Sequence, residues 1–179
     1  MKTILGSILI TLLLTGCNSM RPQDFKDSEP KLVLFDYFEG KTSAWGMFED
    51  RFGNVRRQFQ VNIEGRVKGN EITLDEQFQY NDGEKDRRIW QIRKTGDHTF
   101  EGTADDVIGM AKGTVQGNAL NWTYDLNLKV GDSSYKVHFD DWMFLQPGGV
   151  MINRARLSKW GVDIGEVTLF FKKPVVDVE

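Results

Sequence analysis

The feature that most constrains this chain is a strict alternation of apolar and polar residues, interrupted by glycine-containing turns. In residues 120–130, apolar side chains occupy every second position and polar side chains occupy the positions between them. Residues 55–63 and 72–80 repeat the pattern. Successive side chains of a β-strand point to opposite faces of the sheet, so this pattern indicates strands with one buried face. No long stretch shows the period of an amphipathic helix, and the pattern therefore predicts an all-β protein.

Turn signals separate these segments at near-regular spacing. They are Gly69-Asn70, Asn81-Asp82-Gly83, Gly117-Asn118, Gly131-Asp132 and Pro147-Gly148-Gly149. Glycine and asparagine adopt the positive φ that tight hairpins need, so the strands are expected to form a meander. About ten strands can be counted, and a sheet of that size has to curl. We expect an antiparallel up-and-down, lipocalin-like β-barrel, with a two-sheet sandwich as the alternative.

The N-terminus predicts a signal peptide and a lipid anchor. Lys2 precedes an apolar run, residues 4–14, which is too short to span a hydrocarbon core of about 30 Å. Leu14-Thr15-Gly16-Cys17 resembles the lipobox of bacterial lipoproteins. This resemblance implies that lipid is attached to Cys17 and that the chain is cleaved before it. Cys17 is the only cysteine of the chain, so the mature domain keeps no free thiol.

Three regions follow from these patterns. Residues 1–16 form the predicted signal peptide, residues 17–31 the lipidated cysteine with a flexible, polar spacer, and residues 32–179 the β-barrel domain. Asn18 follows Cys17, which resembles the signal for release to the outer membrane in Gram-negative bacteria. We expect a lipoprotein of the outer membrane that faces the periplasm.

The charges of the chain exclude some partners. The net charge is −3 and positive and negative residues are interspersed, without the basic stripe that nucleic-acid binding requires. The two histidines, His98 and His138, do not occur at metal-ligand spacing, and no phosphate-binding loop or nucleophile elbow is present. The sequence predicts no metal, no cofactor and no nucleic-acid partner.

Four charged residues fall on faces that are otherwise apolar. Arg57, Glu76 and Arg88 each continue an apolar alternation, and Asp141 does so unless a bulge near Asp140 shifts the phase. An isolated buried charge is very costly, so inward charges should be paired or should meet water or a polar ligand. One interpretation is structural: Glu76 and Asp141 pair with the two arginines, or the charges reach a barrel mouth. The other is a polar pocket inside an apolar barrel.

The pocket interpretation gives a function and a set of residues. We expect the protein to bind or shield an apolar or amphipathic small molecule, such as a lipid, with aromatic side chains lining the cavity, arginines orienting an anionic head group and acids balancing them. The predicted ligand-binding residues are Arg57, Glu76, Arg88, Trp90, Trp122, Tyr124 and Asp141.

Two alternatives stay open. A solid-cored barrel could act in envelope assembly or stress through protein contacts on its outer face. An enzyme could use Glu76 with Asp141, or His138 with Asp140, as acid and base, but no catalytic signature supports this.

Several short segments together resemble a known family. They are Leu74-Asp75-Glu76, Tyr80-Asn81-Asp82-Gly83-Glu84, Arg88 with Trp90, Gly117-Asn118-Ala119-Leu120, Asp140-Asp141-Trp142-Met143 and Gly161 through Gly165-Glu166-Val167. The chain is similar to an uncharacterised lipoprotein family of Gram-negative bacteria, one of the domain-of-unknown-function families. The resemblance covers nearly all of the mature chain and implies no activity, substrate or cofactor.

Overall fold

The computed structural model describes residues 19–130 and 133–174. The predicted signal peptide and Cys17 lie outside these residues. Among the described residues, no helix is both long and apolar enough to cross a membrane. The strands are β1 (Gly40–Asp50), β2 (Val55–Lys68), β3 (Glu71–Tyr80), β4 (Lys85–Lys94), β5 (Thr99–Thr103), β6 (Val107–Gln116), β7 (Ala119–Val130), β8 (Ser133–Gln146), β9 (Val150–Lys159) and β10 (Val162–Lys172). A short helix, α1 (Leu34–Phe38), precedes them, and two 3₁₀ turns occupy Pro22–Phe25 and Pro147–Gly149.

The ten strands form a closed barrel. Each strand pairs antiparallel with the next along the chain, and β1 pairs with β10 from Ser43↔Lys172 to Asp50↔Gly165. Closure satisfies both edges of the sheet, which removes the unpaired backbone groups that invite aggregation. The predicted antiparallel up-and-down barrel is confirmed, and the sandwich alternative is not adopted.

The register decides which side chains face inward. Pairing of β7 and β9 with β8 runs without a shift through Asp140 and Asp141, so no bulge is present there and Asp141 faces the interior. The register shifts lie elsewhere, in the β1–β2, β6–β7 and β9–β10 pairings. Side chains therefore alternate between interior and exterior through most of the barrel, as the sequence pattern requires.

The two ends of the barrel differ. The turns that follow the odd-numbered strands lie at one end, which we call the mouth, and the other end is the base. Helix α1 closes the base and buries Leu34 and Phe38. Its segment is held by the Leu32 amide, which donates to the Gly117 carbonyl at 2.8 Å, and by the Tyr37 hydroxyl, which donates to the Gly149 carbonyl at 3.2 Å.

Residues 19–31 differ from the flexible spacer that the sequence predicts. The 3₁₀ turn at Pro22–Phe25 lies on the outside of the barrel near the base, where the Phe25 ring is 5.9 Å from the Trp142 ring and 5.2 Å from the Phe144 ring. The physical reason is burial: Trp142 and Phe144 face outward on β8, and Phe25 covers them. Trp142 is consequently only 9% exposed.

The apolar core is concentrated near the base, where Ile72, Met151 and Val61 are fully buried. Toward the mouth the inward side chains, such as Phe59 and Phe78, are only partly buried. The closed barrel and both hydrophobic clusters are formed by residues between 32 and 172. Because the barrel is closed and contains its own core, we expect this part of the chain to fold without the segment that precedes it.

Candidate ligand-binding site

A cavity of about 830 Å³ runs through the interior from α1 to the mouth. Leu34 and Phe38 form its floor, and Arg57, Asp82 and Glu84 are at its upper end. Its volume falls within the roughly 300–1,000 Å³ of typical small-molecule sites. The aromatic side chains in its wall are Phe48, Phe59, Phe78, Tyr80, Trp90, Trp122, Tyr124, Phe139 and Phe171. The interior is open, as the pocket interpretation requires.

All seven residues predicted to bind a ligand line this cavity. Trp90 stands edge-on to two of them, with ring centroids 5.7 Å from Trp122 and 5.3 Å from Tyr124. Two glycines make room for the Trp122 indole, since an added Cβ would lie 2.3 Å from that ring at Gly113 and 2.9 Å from it at Gly102. The structure thus brings the predicted residues together, while their binding of a ligand stays a prediction.

At the mouth, Arg57 is neutralised by two acids. Its guanidinium contacts Asp82 at 3.0 Å and forms a second ion pair with Glu84. The same guanidinium lies 3.4 Å from the centroid of the Tyr80 ring. Burial acts to lower the pKa of Arg57, but Asp82 and Glu84 outweigh this effect, and the pKa of Arg57 is raised. The predicted pairing of Arg57 with Glu76 or Asp141 is wrong, because the β3–β4 turn places Asp82 and Glu84 closer to it.

Midway along the barrel, Arg88 is neutralised by Asp106. Arg88 Nε donates to Asp106 Oδ1 at 3.1 Å and Arg88 Nη2 donates to Asp106 Oδ2 at 2.6 Å, which is a charge-assisted, bidentate pair. Glu76 is directly opposite Arg88 in the register of β3 and β4, yet neither Glu76 nor Asp141 forms an ion pair within the described part of the chain. The predicted pairing of Arg88 with these acids is therefore also wrong.

Asp106 was missed by the sequence reading. It lies in the connection between β5 and β6, in a polar segment that reads as an ordinary turn. The sequence offered only an indirect signal for Asp106. An inward arginine such as Arg88 requires an acidic partner, and an acid in a turn at the mouth end can be that partner.

Glu76 and Asp141 are inward carboxyl groups that form no ion pair among the described residues, although the charge of Arg88 acts on both. Burial raises the pKa of Glu76 to about 7, with Arg88 opposing this shift and Asp106 adding to it. Burial raises the pKa of Asp141 to about 8, with Arg88 again opposing and with Asp140 and Glu76 adding to it. Glu76 keeps some accessible surface because it borders the cavity. Both groups hold a large protonated fraction at neutral pH.

Three buried polar atoms without a hydrogen-bond partner lie on the β8–β9 wall of the cavity, and a fourth, Arg57 Nε, borders it at the mouth. Asp141 Oδ1 has no hydrogen-bond partner, and Asn153 has none for either its Nδ2 or its Oδ1 atom among the residues described. Asn153 is 0% exposed and stands opposite Met143 and Leu169 in the neighbouring strands. Since buried polar atoms are nearly always hydrogen-bonded, these atoms point to a polar group that enters the cavity. Asn153 was also missed, although it interrupts the apolar alternation of β9.

The sequence matches the family described as a protein of unknown function, DUF3833, over residues 11–173. The chain belongs to the DUF3833 family. This confirms the resemblance to a domain-of-unknown-function family. The sequence has no significant match among curated proteins.

The barrel of this DUF3833 protein is similar to a solved structure of an S-type phycobiliprotein lyase from Guillardia theta. The two chains are 7% identical and superpose with a TM-score of 0.53, over 76% of this chain and 87% of the other. At that identity the similarity shows the fold, a lipocalin-like barrel, and nothing about activity.

The second acid–base pair considered for the DUF3833 protein lies outside the cavity. His138 is exposed on the outer face of β8, where its Nδ1 atom is 2.9 Å from Asp125 Oδ1. Asp140 accepts a hydrogen bond of 2.7 Å from the Asn121 side chain. These residues do not converge with Glu76 and Asp141. Within residues 19–130 and 133–174, no group of three His, Cys, Asp or Glu side chains is placed to hold a metal ion.

Proposed function

We propose that this DUF3833 protein binds an apolar or amphipathic small molecule inside its barrel. The observation that carries the proposal is the aromatic-walled cavity of about 830 Å³, closed by α1 at the base. Burying apolar ligand surface there contributes roughly 25 cal/mol per Å², and the preformed barrel limits the entropy lost on binding.

The distribution of polar groups fits an elongated amphipathic molecule. Leu34 and Phe38 at the floor offer only apolar contacts, whereas Glu76, Asp141 and Asn153 provide polar atoms higher in the wall. An apolar tail would reach the floor and a polar group would lie beside these side chains. In this proposal the barrel shields the apolar tail of the ligand from water.

We further propose that the protein works at the cell envelope, anchored by lipid on Cys17, in the outer membrane facing the periplasm. The signal-peptide pattern supports this proposal. The turn that lies against the barrel begins at Pro22, and the chain between it and Cys17 spans at most about 18 Å even when extended. Such a short tether would hold the base near the membrane and direct the mouth away from it.

The binding proposal is tested with residues 19–179, secreted to the periplasm without the anchor. Native mass spectrometry and analysis of an organic extract should show a bound small molecule. Ala155→Phe, which adds a ring to the cavity wall, should lose it. Ile152→Phe is the matched control because it introduces the same side chain on the outer face of the same strand, β9, and should retain the ligand.

The outcomes are decisive for the cavity. A molecule retained equally by both variants would place binding outside the barrel. If the parent carries no extractable molecule and binds no alkyl probe in solution, the proposal is wrong.

A further inference from the structure

Two arginines and one lysine border the cavity of the DUF3833 protein, and Lys129 lies at the mouth end of β7, away from Asp141. Arg57 is committed to Asp82 and Glu84, and Arg88 is committed to Asp106 by a fork of hydrogen bonds. Both arginines are therefore already neutralised. An anionic head group would have to break one of these pairs, which leaves buried acids without their cation.

The surroundings of Asp141 define what it can bind. Trp122 stands opposite it on β7 and Ala155 opposite it on β9, and neither carries a charge. The Tyr124 hydroxyl of β7 donates a hydrogen bond that acts to lower the pKa of Asp141, and Asn153 is the neighbouring inward position of β9. Three charged groups shift the pKa of Asp141: Arg88 of β4, Glu76 of β3 and Asp140, whose side chain points outward on β8. Asp106 in turn shifts the pKa values of Glu76 and Arg88.

Two buried side chains in this wall have an oxygen without a hydrogen-bond partner, and Asn153 also has an unpartnered Nδ2 that can donate to a polar ligand atom. Asp141 is 6% exposed and its Oδ1 atom is unpartnered. Asn153 is fully buried with an unpartnered carbonyl oxygen. A group that donates several hydrogen bonds and brings a positive charge would satisfy both oxygens and compensate the carboxylate.

Building on the proposed small-molecule function, we propose that the polar group of the ligand is a protonated amine, bound by the Asp141 carboxylate and the Asn153 side-chain oxygen. The ligand class is thus an amphipathic amine. Its alkyl or aromatic part occupies the apolar cavity toward α1, and its ammonium group donates hydrogen bonds to the β8–β9 wall.

Binding of an ammonium group displaces a proton. In the free protein the pKa of Asp141 is raised to about 8, so the carboxyl is mostly protonated at neutral pH. The ammonium group keeps its own protons, the Asp141 carboxyl loses one to solvent, and an ion pair forms. Affinity for the amine should rise with pH, by up to about tenfold per unit below pH 8, because one proton is released per ligand.

The test uses three probes with one tail: decylamine, decanol and decanoate. Their dissociation constants are measured by titration calorimetry at pH 7.5 on residues 19–179, the part that contains the complete barrel. We expect decylamine to bind at least about tenfold more tightly than decanoate, with decanol between them. Repeating the decylamine titration in buffers of different ionisation enthalpy should report release of up to one proton.

Two variants locate the head-group contact. Asp141→Asn should weaken decylamine by about thirtyfold or more and leave decanol nearly unchanged. Asp125→Asn is the control, since Asp125 lies on the outer face of β7, bonded to Lys136 and His138, and it should leave both constants unchanged. If Asp141→Asn fails to fold, the pH profile and proton release of the parent protein decide the matter.

The results separate the inference from the function on which it rests. Equal binding of all three probes, or tightest binding of decanoate, overturns the amine inference while the cavity still binds apolar tails. Absence of binding by every probe overturns the proposed function as well.

Discussion

Arg57 and Arg88 each place a positive charge on an inward, otherwise apolar strand face, and each is paired with acids from a turn. An arginine on an apolar strand face signals that an acid must be near, because an unpaired buried charge is too costly. The acid itself came from a turn in each case, Asp82 with Glu84 for Arg57 and Asp106 for Arg88. Residue type and strand phase therefore show which arginines need an acidic partner. Only the closed barrel shows which acid pairs with each of them.

The buried acids predict a pH dependence of stability. A carboxyl whose pKa is higher in the folded than in the unfolded state stabilises the fold below the unfolded value and loses that contribution as pH rises toward the folded value. For Glu76 and Asp141, with folded pKa values of about 7 and about 8, the loss extends from about pH 4 to pH 8. We expect the ligand-free Tm to fall between pH 5 and pH 8.

The measurement is thermal unfolding of the ligand-free protein, followed by circular dichroism. Asp141→Asn should flatten the pH profile by removing the larger of the two contributions, whereas Asp125→Asn should not, since the Asp125 pKa is lowered by its bonds to Lys136 and His138. A Tm that is constant from pH 5 to pH 8 would contradict the assignment.

Trp160 occupies an unfavourable backbone conformation. Its φ is +53° in the two-residue turn between β9 and β10, and its side chain is 92% exposed. A bulky residue in this left-handed region costs about 1–2 kcal/mol, and asparagine tolerates it best after glycine. Trp160→Asn should raise the free energy of unfolding by roughly 1 kcal/mol.

Urea denaturation checks this prediction. The midpoint of Trp160→Asn should be higher than that of the parent protein, with an unchanged m-value. Val162→Asn serves as the control, because Val162 is equally outside the core but lies in β10, where asparagine is disfavoured. A lower midpoint for Trp160→Asn would show that the exposed indole stabilises the turn.

At the scale of elements, the closure of the base depends on one glycine of β2. A Cβ added at Gly65 would lie 1.8 Å from the carbonyl oxygen of Phe38, the last residue of α1. Gly65→Ala should therefore push α1 away from the barrel and expose Leu34 and Phe38. We expect a loss of roughly 2–4 kcal/mol in the free energy of unfolding.

Hydrogen exchange locates the effect, with faster exchange expected at Tyr37 and Glu39, whose amides donate within the α1 segment. Gly83→Ala is the comparison: Gly83 has a φ of +87° in the mouth turn, and an added Cβ there meets nothing within 4 Å. It should lower stability through backbone strain without altering exchange at the base.

At the scale of the whole molecule, the closed barrel keeps an open interior in place of a filled core. This arrangement makes stability depend on the occupant, because a molecule that binds only the folded state stabilises it by about 2.7 kcal/mol at a hundredfold excess over its Kd. Saturation with decylamine should raise the Tm of the parent, and Ala155→Phe should abolish that rise. A rise of equal size in Ala155→Phe would place the bound molecule elsewhere.

The fold was largely predictable because its signal is local. Alternation with a period of two is a property of each strand by itself, and turns such as Asn81-Asp82-Gly83 are encoded by residues with a preference for positive φ. Many short alternating strands then leave few architectures, and the barrel follows from the need to satisfy sheet edges.

Local patterns were enough to predict a barrel as the preferred fold, the inward direction of Arg57, Glu76 and Arg88, and the aromatic side chains around them, whereas the direction of Asp141 depended on the absence of a bulge in β8. The tertiary structure alone decided that Asp106 neutralises Arg88, that Asn153 and Asp141 remain unpartnered, that Phe25 covers Trp142, and that the interior is hollow. The physical reason is range: strand phase depends on neighbours two residues away, whereas ion pairs and cavity volume depend on how distant strands and turns meet once the barrel has closed.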